Sequence, residues 1–194
     1  MNAARLQEWA VSITTSVLMI ALGSCADQAG DPEGESGATD TTAVPMATDP
    51  GDRDLEELRR VTAGFTDIEA ARAAGYTEQI TTCWYHRDQG GQGYHFGRPD
   101  LIDGNVSLLE PELVMYEPMA DSTFQFVGVE YIVPFDQWTQ PQPPTLLGRT
   151  FLQNEQLRLH VLHVWLGKEN PTGMYENWNP TVSCEHAAES EDRA

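Results

Sequence analysis

LRLHVLHVWLGKENPTGMYENWNPTVSC, residues 157–184, combines the most regular strand pattern of the chain with the turns that follow it. Side chains alternate between the two faces of a strand, so His163 and Trp165 share one face and His160 lies on the other. A single regular strand therefore cannot offer both histidines to one metal ion. Two Asn-Pro turns follow the strand and lead to Cys184.

A second strand is predicted for FQFVGVEYIV, residues 124–133. The alternation places Val127, Val129 and Tyr131 on one face and Phe126 and Glu130 on the other. Both faces are mostly apolar, which is typical of a central strand. Glu130 is thus a carboxylate at a position where the pattern predicts burial.

Helical patterns come first in the ordered part of the chain. Asp54 and Glu57 have the spacing of a capping box, which predicts that a helix begins near Asp54. A second short helix is predicted for DIEAARAA, ending at Gly75, and a strand for residues 76–83. Few helical patterns lie between the later strands. The sequence therefore predicts an α+β fold, with short N-terminal helices followed by a mainly antiparallel β-sheet and one disulfide.

The 194 residues divide by composition into one predicted globular domain, 53–184, and flanking acidic segments. Residues 26–52 contain seven acids and no Lys or Arg, and 185–194 carry a net charge of −3. The predicted domain therefore carries −9 of the total formal charge of −19. We expect 25–52 to be a disordered tether and 185–194 a disordered tail. Without a basic patch, nucleic acid is excluded as a partner.

The N-terminus has the features of an export signal. The apolar run from Ala10 to Cys25 suits a signal peptide, residues 1–24, better than a membrane span. Its end, Leu22-Gly23-Ser24-Cys25, resembles the lipobox of bacterial lipoproteins. That resemblance implies lipidation of Cys25 and anchoring of an exported protein to the cell envelope, at the outer membrane or the cell surface. An ordinary signal peptide cleaved nearby is the alternative.

The chain has three cysteines, an odd number for an exported protein. If Cys25 carries lipid, Cys83 and Cys184 remain as a pair in an oxidising compartment, where disulfides are stable. The alternative, two free thiols that bind a metal, lacks the CxxC spacing of such sites. The sequence therefore favours a Cys83–Cys184 disulfide.

Several stretches between residues 60 and 184 resemble a family of uncharacterised exported bacterial proteins. These stretches are AARAAGY, GYHF, LEPELVMYEP, FVGVEYIVP, LHVWL and KENPTGMY with NWNPTVSC. The resemblance implies one coherent domain. It implies no activity or cofactor.

Four polar residues interrupt apolar strands and form the candidate site: His95, Glu117, Glu130 and His163. Buried carboxylates and imidazoles are costly unless they are paired or bind a metal. Together they would suit a divalent transition metal such as Zn, Mn or Fe. The alternative is a structural cluster, in which Glu130 forms a salt bridge to Arg149 or Arg158 and the histidines bond to backbone groups or carboxylates.

A separate group of aromatic side chains could bind a glycan or an apolar ligand if exposed, although such residues are more often part of the core. Its members are Trp84, Tyr85, Tyr94, Trp165, Tyr175 and Trp178. Three functions are compatible with the sequence. They are a lipid-anchored envelope protein that binds a small ligand or an envelope partner, a metal-dependent enzyme or metal-binding protein, and a structural surface protein. The pattern favours a binding or structural role over an enzyme.

Overall fold

A computed structural model describes residues 50–194. The predicted signal peptide, the lipidation site Cys25 and residues 25–49 of the predicted tether lie outside the described residues. Within 50–194 the prediction of an α+β fold is confirmed: short helices come first, and a mainly antiparallel sheet follows. The Cys83–Cys184 disulfide is also confirmed, with 5.8 Å between its Cα atoms.

The helices differ from the prediction at their start. Helix α1 spans Pro50–Thr62, a 3-10 turn spans Ala63–Thr66 and helix α2 spans Ile68–Ala73. The predicted capping box is wrong, because Asp54 lies inside α1 and Glu57 forms an ion pair with Arg60 at 2.5 Å. The last residues assigned to the tether are thus helical, and the proline there suits a first helical turn. Neither helix in this part of the chain is long or apolar enough to cross a membrane.

Within the described residues, ten strands follow helix α2, and a 3-10 turn, Pro99–Leu101, lies between the third and the fourth. The bounds of β1 to β10 are Glu78–Gln79, Cys83–His86, Gly90–Gly97, Leu113–Pro118, Phe124–Pro134, Thr145–Leu146, Arg149–Thr150, Leu152–Asn154, Leu159–Val164 and Ser190–Asp192. The main sheet has the order β10-β2-β3-β4-β5-β9-β8, with β1 also paired to β3, while β6 and β7 form a separate hairpin. All neighbours in these sheets are antiparallel except β10 and β2.

The prediction that residues 185–194 form a disordered tail is wrong. Ser190–Asp192 form β10, which lies parallel to β2, with Glu191 opposite Trp84. Acidic composition predicted disorder because charged residues bury little apolar surface. Backbone hydrogen bonds to the edge of β2 and an ion pair between Arg87 and Asp192 at 2.8 Å hold the segment instead. Such long-range pairing has no local sequence pattern.

The single strand predicted for residues 76–83 is interrupted. Residues 78–79 and 83–86 form β1 and β2, and both pair with β3. Between them the chain leaves the ladder, although the Ile80 N–H still donates to the carbonyl of His95 at 2.8 Å. This break brings Thr81 next to the side chain of His95.

The two faces of the main sheet have different neighbours. The face towards the helices carries the main core, which includes Leu58, Ala71, Phe96, Val114, Tyr116, Phe126, Val129, Tyr131, Leu162 and Val164. The opposite face carries two smaller apolar groups, Met115, Val127, Trp165 and Val182, and Leu113, Ile132 and Val161. A β-bulge opposite Met115/Tyr116 moves Val127 away from the face predicted for it and places Phe126 in the main core.

The glycines of the β2–β3 turn allow close approach of the backbone. Gly90 has a positive φ of 102°, and a Cβ atom there would lie 2.2 Å from the carbonyl oxygen of Asn179. Gly91 is bridged to Asn179 by two backbone hydrogen bonds. The glycine cluster therefore lets the segment before Cys184 lie against β3.

Candidate metal centre

Three of the four predicted site residues meet on the sheet face opposite the helices. His95 lies on β3, Glu130 on β5 and His163 on β9. Each is flanked in sequence by residues of the main core, so the strand pleat turns its side chain to the other face. Glu130 and His163 are direct partners in the β5–β9 ladder, while His95 reaches across from beyond β4.

The distances in this cluster match those around a single ion. Glu130 Oε2 lies 3.2 Å from His95 Nε2, and Glu130 Oε1 lies 3.5 Å from His163 Nε2. One potential ligand atom from each of the three residues lies within 4.8 Å of the others. Two ligands of a tetrahedral zinc ion, each about 2.1 Å from the metal, are about 3.4 Å apart. One ion would therefore fit with small side-chain adjustments.

Burial determines the charge of the cluster. The three side chains belong to residues that are 1%, 7% and 2% exposed for His95, Glu130 and His163. Loss of hydration lowers the pKa of His95 to about 3, and that of His163 also to about 3, with a smaller effect of His95 on the latter. Burial, with a smaller contribution from Glu112, raises the pKa of Glu130 to about 8. In the metal-free cluster, burial therefore favours the uncharged form of all three side chains.

The short distances do not make a conventional salt bridge. Burial lowers the pKa of both imidazoles and so favours their neutral form. His95 Nε2 and both ring nitrogens of His163 have no hydrogen-bond partner among the described residues. No Lys or Arg of residues 50–194 lies within ion-pair distance of Glu130. Buried polar atoms in proteins nearly always have partners. Nε2 of His95 and Nε2 of His163 are both unpaired and lie within 3.5 Å of the same buried carboxyl group, and a metal ion would explain this arrangement.

The salt bridge from Glu130 to Arg149 or Arg158, which was the structural alternative, is not formed. Arg149 lies over the ring of Tyr175 at 4.8 Å, and Arg158 lies over the ring of Phe135 at 5.4 Å. Neither forms an ion pair with Glu130. The salt-bridge part of the structural alternative is therefore wrong, because both cations stack on aromatic rings elsewhere. Its other part, histidines next to a carboxylate, agrees with the contacts of His95 and His163 to Glu130.

His95 is oriented by a residue that the sequence analysis missed. Thr81 Oγ1 lies 2.8 Å from His95 Nδ1, which leaves Nε2 directed towards Glu130. A hydrogen bond to the second nitrogen is the usual way in which proteins fix a metal-binding histidine. His163 is held differently, by stacking on Trp165 with 6.1 Å between ring centres and 13° between planes.

Glu117 is not part of the cluster, so its inclusion in the predicted site is wrong. It follows Met115 by two residues, and strand alternation puts it on the same face but further along β4. There Lys168 forms an ion pair with Oε2, and the Ser183 N–H donates to Oε1 at 2.9 Å. Both carboxylate oxygens are thus used to hold the loop and C-terminal segment.

His160 points away from the cluster, as alternation predicted. Its ring lies 4.6 Å from that of Phe135 and 6.4 Å from that of Trp138. Burial lowers its pKa, with a weaker opposing effect of Glu155. His160 therefore provides a natural control for the two clustered histidines.

The cluster lies at a cleft of about 180 Å³, which Glu130 and His163 help to line. Other residues of the cleft wall are Trp84, Gln92, Asn154, Asn177, Trp178 and Arg193. A larger depression of about 850 Å³ lies between the β2–β3 turn and residues 180–190. It includes none of the three clustered residues, so the smaller cleft is the relevant one.

The predicted aromatic platform is divided. Trp84 and Trp178 line the cleft, whereas Tyr94 and Trp165 are buried at 5% and 3% exposure. Tyr175 lies beneath Arg149. Tyr85 lines the larger depression beside the β2–β3 turn. The six rings therefore do not form one surface.

Comparisons with known proteins add no assignment: no protein-family model, curated protein or solved structure matches the chain. The function therefore has to be inferred from the chemistry of the residues themselves.

Proposed function

We propose that the domain binds one divalent transition-metal ion through His95, Glu130 and His163. The observation that supports this most strongly is the convergence of two imidazoles and one carboxyl group, all buried and with unpaired ring nitrogens. No Lys or Arg of residues 50–194 lies within ion-pair distance of the carboxyl group. Two imidazoles and one carboxylate form a common ligand set for zinc and for ferrous iron. Three protein ligands leave at least one coordination position for water or another ligand.

Residues around the cluster hold the two histidines in orientations that suit metal binding. Thr81 fixes one imidazole through its second nitrogen, and Trp165 stacks on the other. Glu130 and His163 also line the cleft, so an ion held there has a route to solvent. A closed structural zinc site normally has four protein ligands. The arrangement therefore fits an ion that meets a further ligand better than one with a purely structural role.

Equilibrium titration of the full chain with Zn²⁺, purified in detergent without chelator, tests the proposal. We expect one equivalent to bind, and His163→Ala or His95→Ala to abolish stoichiometric binding. The matched control is His160→Ala on the same strand as His163, which should bind one equivalent as before. Absence of stoichiometric binding by the wild-type chain, or binding unchanged in His163→Ala, would overturn the proposal. Circular dichroism of each variant shows whether it is folded.

We also propose that this metal-binding domain is exported and tethered to the bacterial cell envelope through lipid on Cys25. The sequence Leu22-Gly23-Ser24-Cys25 supports lipidation, and the Cys83–Cys184 disulfide supports an oxidising compartment. The acidic residues 26–49 would then form part of the spacer between membrane and domain. Small ligands or envelope proteins are the partners that suit this location.

Mass spectrometry of the chain expressed in a bacterium tests the location. We expect an N-terminus at Cys25 carrying acyl chains, in the membrane fraction. Cys25→Ser should remove the acyl mass and release the domain from membranes. A wild-type chain without lipid would contradict this part of the proposal and leave the metal site untouched.

A further inference from the structure

The cleft beside the cluster contains a single cation. Among the described residues that line it, Arg193 is the only Lys or Arg. The chain as a whole carries a formal charge of −19, so this arginine is a local positive charge on a strongly acidic protein. Arg193 was assigned to a disordered tail by composition, and the structure places it at this site.

The backbone of β10 holds Arg193 in place. Its N–H donates to the carbonyl of Tyr85 at 2.8 Å, directly after the Asp192–Tyr85 pair of the β10–β2 ladder. The guanidinium lies 4.5 Å from the ring centre of Trp84. Because the side chain is only 18% exposed, its position is restricted on both sides.

Trp84 connects this cation to the proposed metal ligands. Its ring centre lies 5.7 Å from that of His95, while its ring also carries the guanidinium of Arg193. The metal position and the cation thus border one small space. Both would attract an anion that enters it.

Arg193 forms an ion pair with Glu191, and this pair contributes little to stability. Its Nη1 lies 2.6 Å from Oε1 of Glu191, whose side chain is 49% exposed. Ion pairs with an exposed carboxylate contribute little to stability in water. A guanidinium offers five N–H donors in a planar fork, so a ligand carboxylate can bind beside Glu191 or replace it.

The size and lining of the cleft limit the ligand. A volume of about 180 Å³ corresponds to the space of about six water molecules in the liquid. Gln92, Asn154 and Asn177 also line the space. Nε2 of Gln92 donates to the carbonyl of Asn177 and Oδ1 of Asn154 accepts from the Leu157 N–H, and each amide has further hydrogen-bonding capacity. Drug-sized ligands usually occupy pockets of about 300 Å³ or more. The cleft therefore suits a small, oxygen-rich molecule.

We propose that the cleft binds a small carboxylic acid with two oxygen-bearing groups. One carboxylate pairs with the guanidinium of Arg193, and the other group reaches the open side of the metal ion. The inference rests on the proposed metal site and adds the chemical class of its ligand. Arg193 is a binding residue here, and Trp84 positions it.

Calorimetric titration of the Zn²⁺-loaded full chain with malonate tests the inference, with malonamide as the uncharged probe of the same shape. We expect saturable binding of malonate and none of malonamide. Arg193→Gln should weaken malonate binding by about ten-fold or more, the effect of losing hydrogen bonds to a charged group, while it keeps one equivalent of zinc. The malonate affinity of Arg193→Lys should lie between those of the wild-type chain and Arg193→Gln, because lysine keeps the positive charge but lacks the planar guanidinium donors.

Arg149→Gln is the matched control. Arg149 also stacks on an aromatic ring, at 4.8 Å from Tyr175, but does not line the cleft. Arg149→Gln should therefore leave the malonate affinity unchanged. Equal melting temperatures of the Arg193→Gln and wild-type chains show that β10 has stayed in place.

The outcomes separate the two proposals. If the chain binds zinc but not malonate, or if Arg193→Gln leaves malonate affinity unchanged, the ligand inference is wrong and the metal site stands. If inorganic phosphate binds as tightly as malonate and with the same dependence on Arg193, the preference for a carboxylate is wrong. If the wild-type chain binds no zinc, both proposals fail.

Discussion

Glu130 and His163 face each other across the β5–β9 ladder, with 3.5 Å between Oε1 and Nε2. No Lys or Arg of residues 50–194 is within ion-pair distance of this carboxyl group. A buried acid beside two neutral imidazoles is destabilising for the metal-free protein when the acid ionises. A divalent cation would reverse that effect, because it supplies the missing positive charge.

Two buried glutamates of the same sheet should respond in opposite ways to removal of their charge. Glu117→Gln should lower the free energy of unfolding by about 1–3 kcal/mol, because it weakens the ion pair to Lys168 and the hydrogen bond from Ser183. It should leave zinc binding intact. Urea unfolding and zinc titration of the same variant provide both measurements.

Glu130→Gln should be at least as stable as the wild-type chain at pH 9 in the presence of chelator, while zinc binding is lost. The glutamine keeps the shape of the side chain and removes an acid whose pKa burial raises to about 8. Thermal unfolding measures this directly. A marked loss of stability in Glu130→Gln would indicate a structural role for the carboxylate.

Thr81 should matter for metal affinity although it contributes no ligand. Its hydroxyl holds Nδ1 of His95 at 2.8 Å, and loss of such a contact typically costs about 10–100-fold in affinity. We expect this loss for Thr81→Ala in zinc titrations. The neighbouring Thr82 has a buried hydroxyl without a partner in the described structure, so Thr82→Ala is the matched control. Equal affinities of the two variants would argue against an orienting role.

Glu112 should make the metal-free protein less stable as the pH rises. Its carboxyl accepts the Ile132 N–H at 3.0 Å, and burial is the main cause that raises its pKa to about 8. The folded state binds this proton more tightly than the unfolded state, so the stabilisation is complete below about pH 4.5 and is lost as the pH rises through about 8.

Glu112→Gln should therefore show a smaller decline of stability between these pH values. One pKa unit corresponds to about 1.4 kcal/mol, so we expect a gain of at least that size at pH 9 in chelator. The exposed Glu110 provides the control, since Glu110→Gln should follow the wild-type curve. Chemical unfolding over a pH series gives the comparison, and parallel curves for Glu112→Gln and wild type would contradict the prediction.

The disulfide should contribute strongly to stability. Cys83 and Cys184 are separated by 101 residues, and removing a native bridge from a small domain typically costs about 2–5 kcal/mol. We expect this loss in Cys83→Ala/Cys184→Ala, measured by urea unfolding. A thiol assay on the denatured wild-type chain checks the premise: reactive Cys83 and Cys184 would show that the bridge is absent in the isolated protein.

The strand pattern was sufficient to predict the sheet and three members of the cluster. His95, Glu130 and His163 each interrupt a run of apolar residues that builds the main core, and alternation alone fixes the face on which they lie. Glu117 interrupts its strand in the same way, yet it lies where Lys168 and Ser183 approach. Local pattern indicates burial and cannot identify the partner of a buried charge.

Features that depend on distant pairing were not predictable. Arg193 reaches the cleft because β10 joins the edge of β2, and Thr81 reaches His95 because the predicted strand breaks between β1 and β2. The bulge in β5 moved Val127 to the other face by inserting one residue into the register. None of these features has a periodic sequence signature.

The most direct test of the metal proposal is an anomalous-scattering measurement on crystals of the protein grown with Zn²⁺. We expect one strong anomalous peak about 2.0–2.2 Å from ring nitrogens of His95 and His163 and from an oxygen of Glu130. A fully occupied peak bound by other residues, or no peak among these three side chains in crystals soaked to saturation, would contradict it.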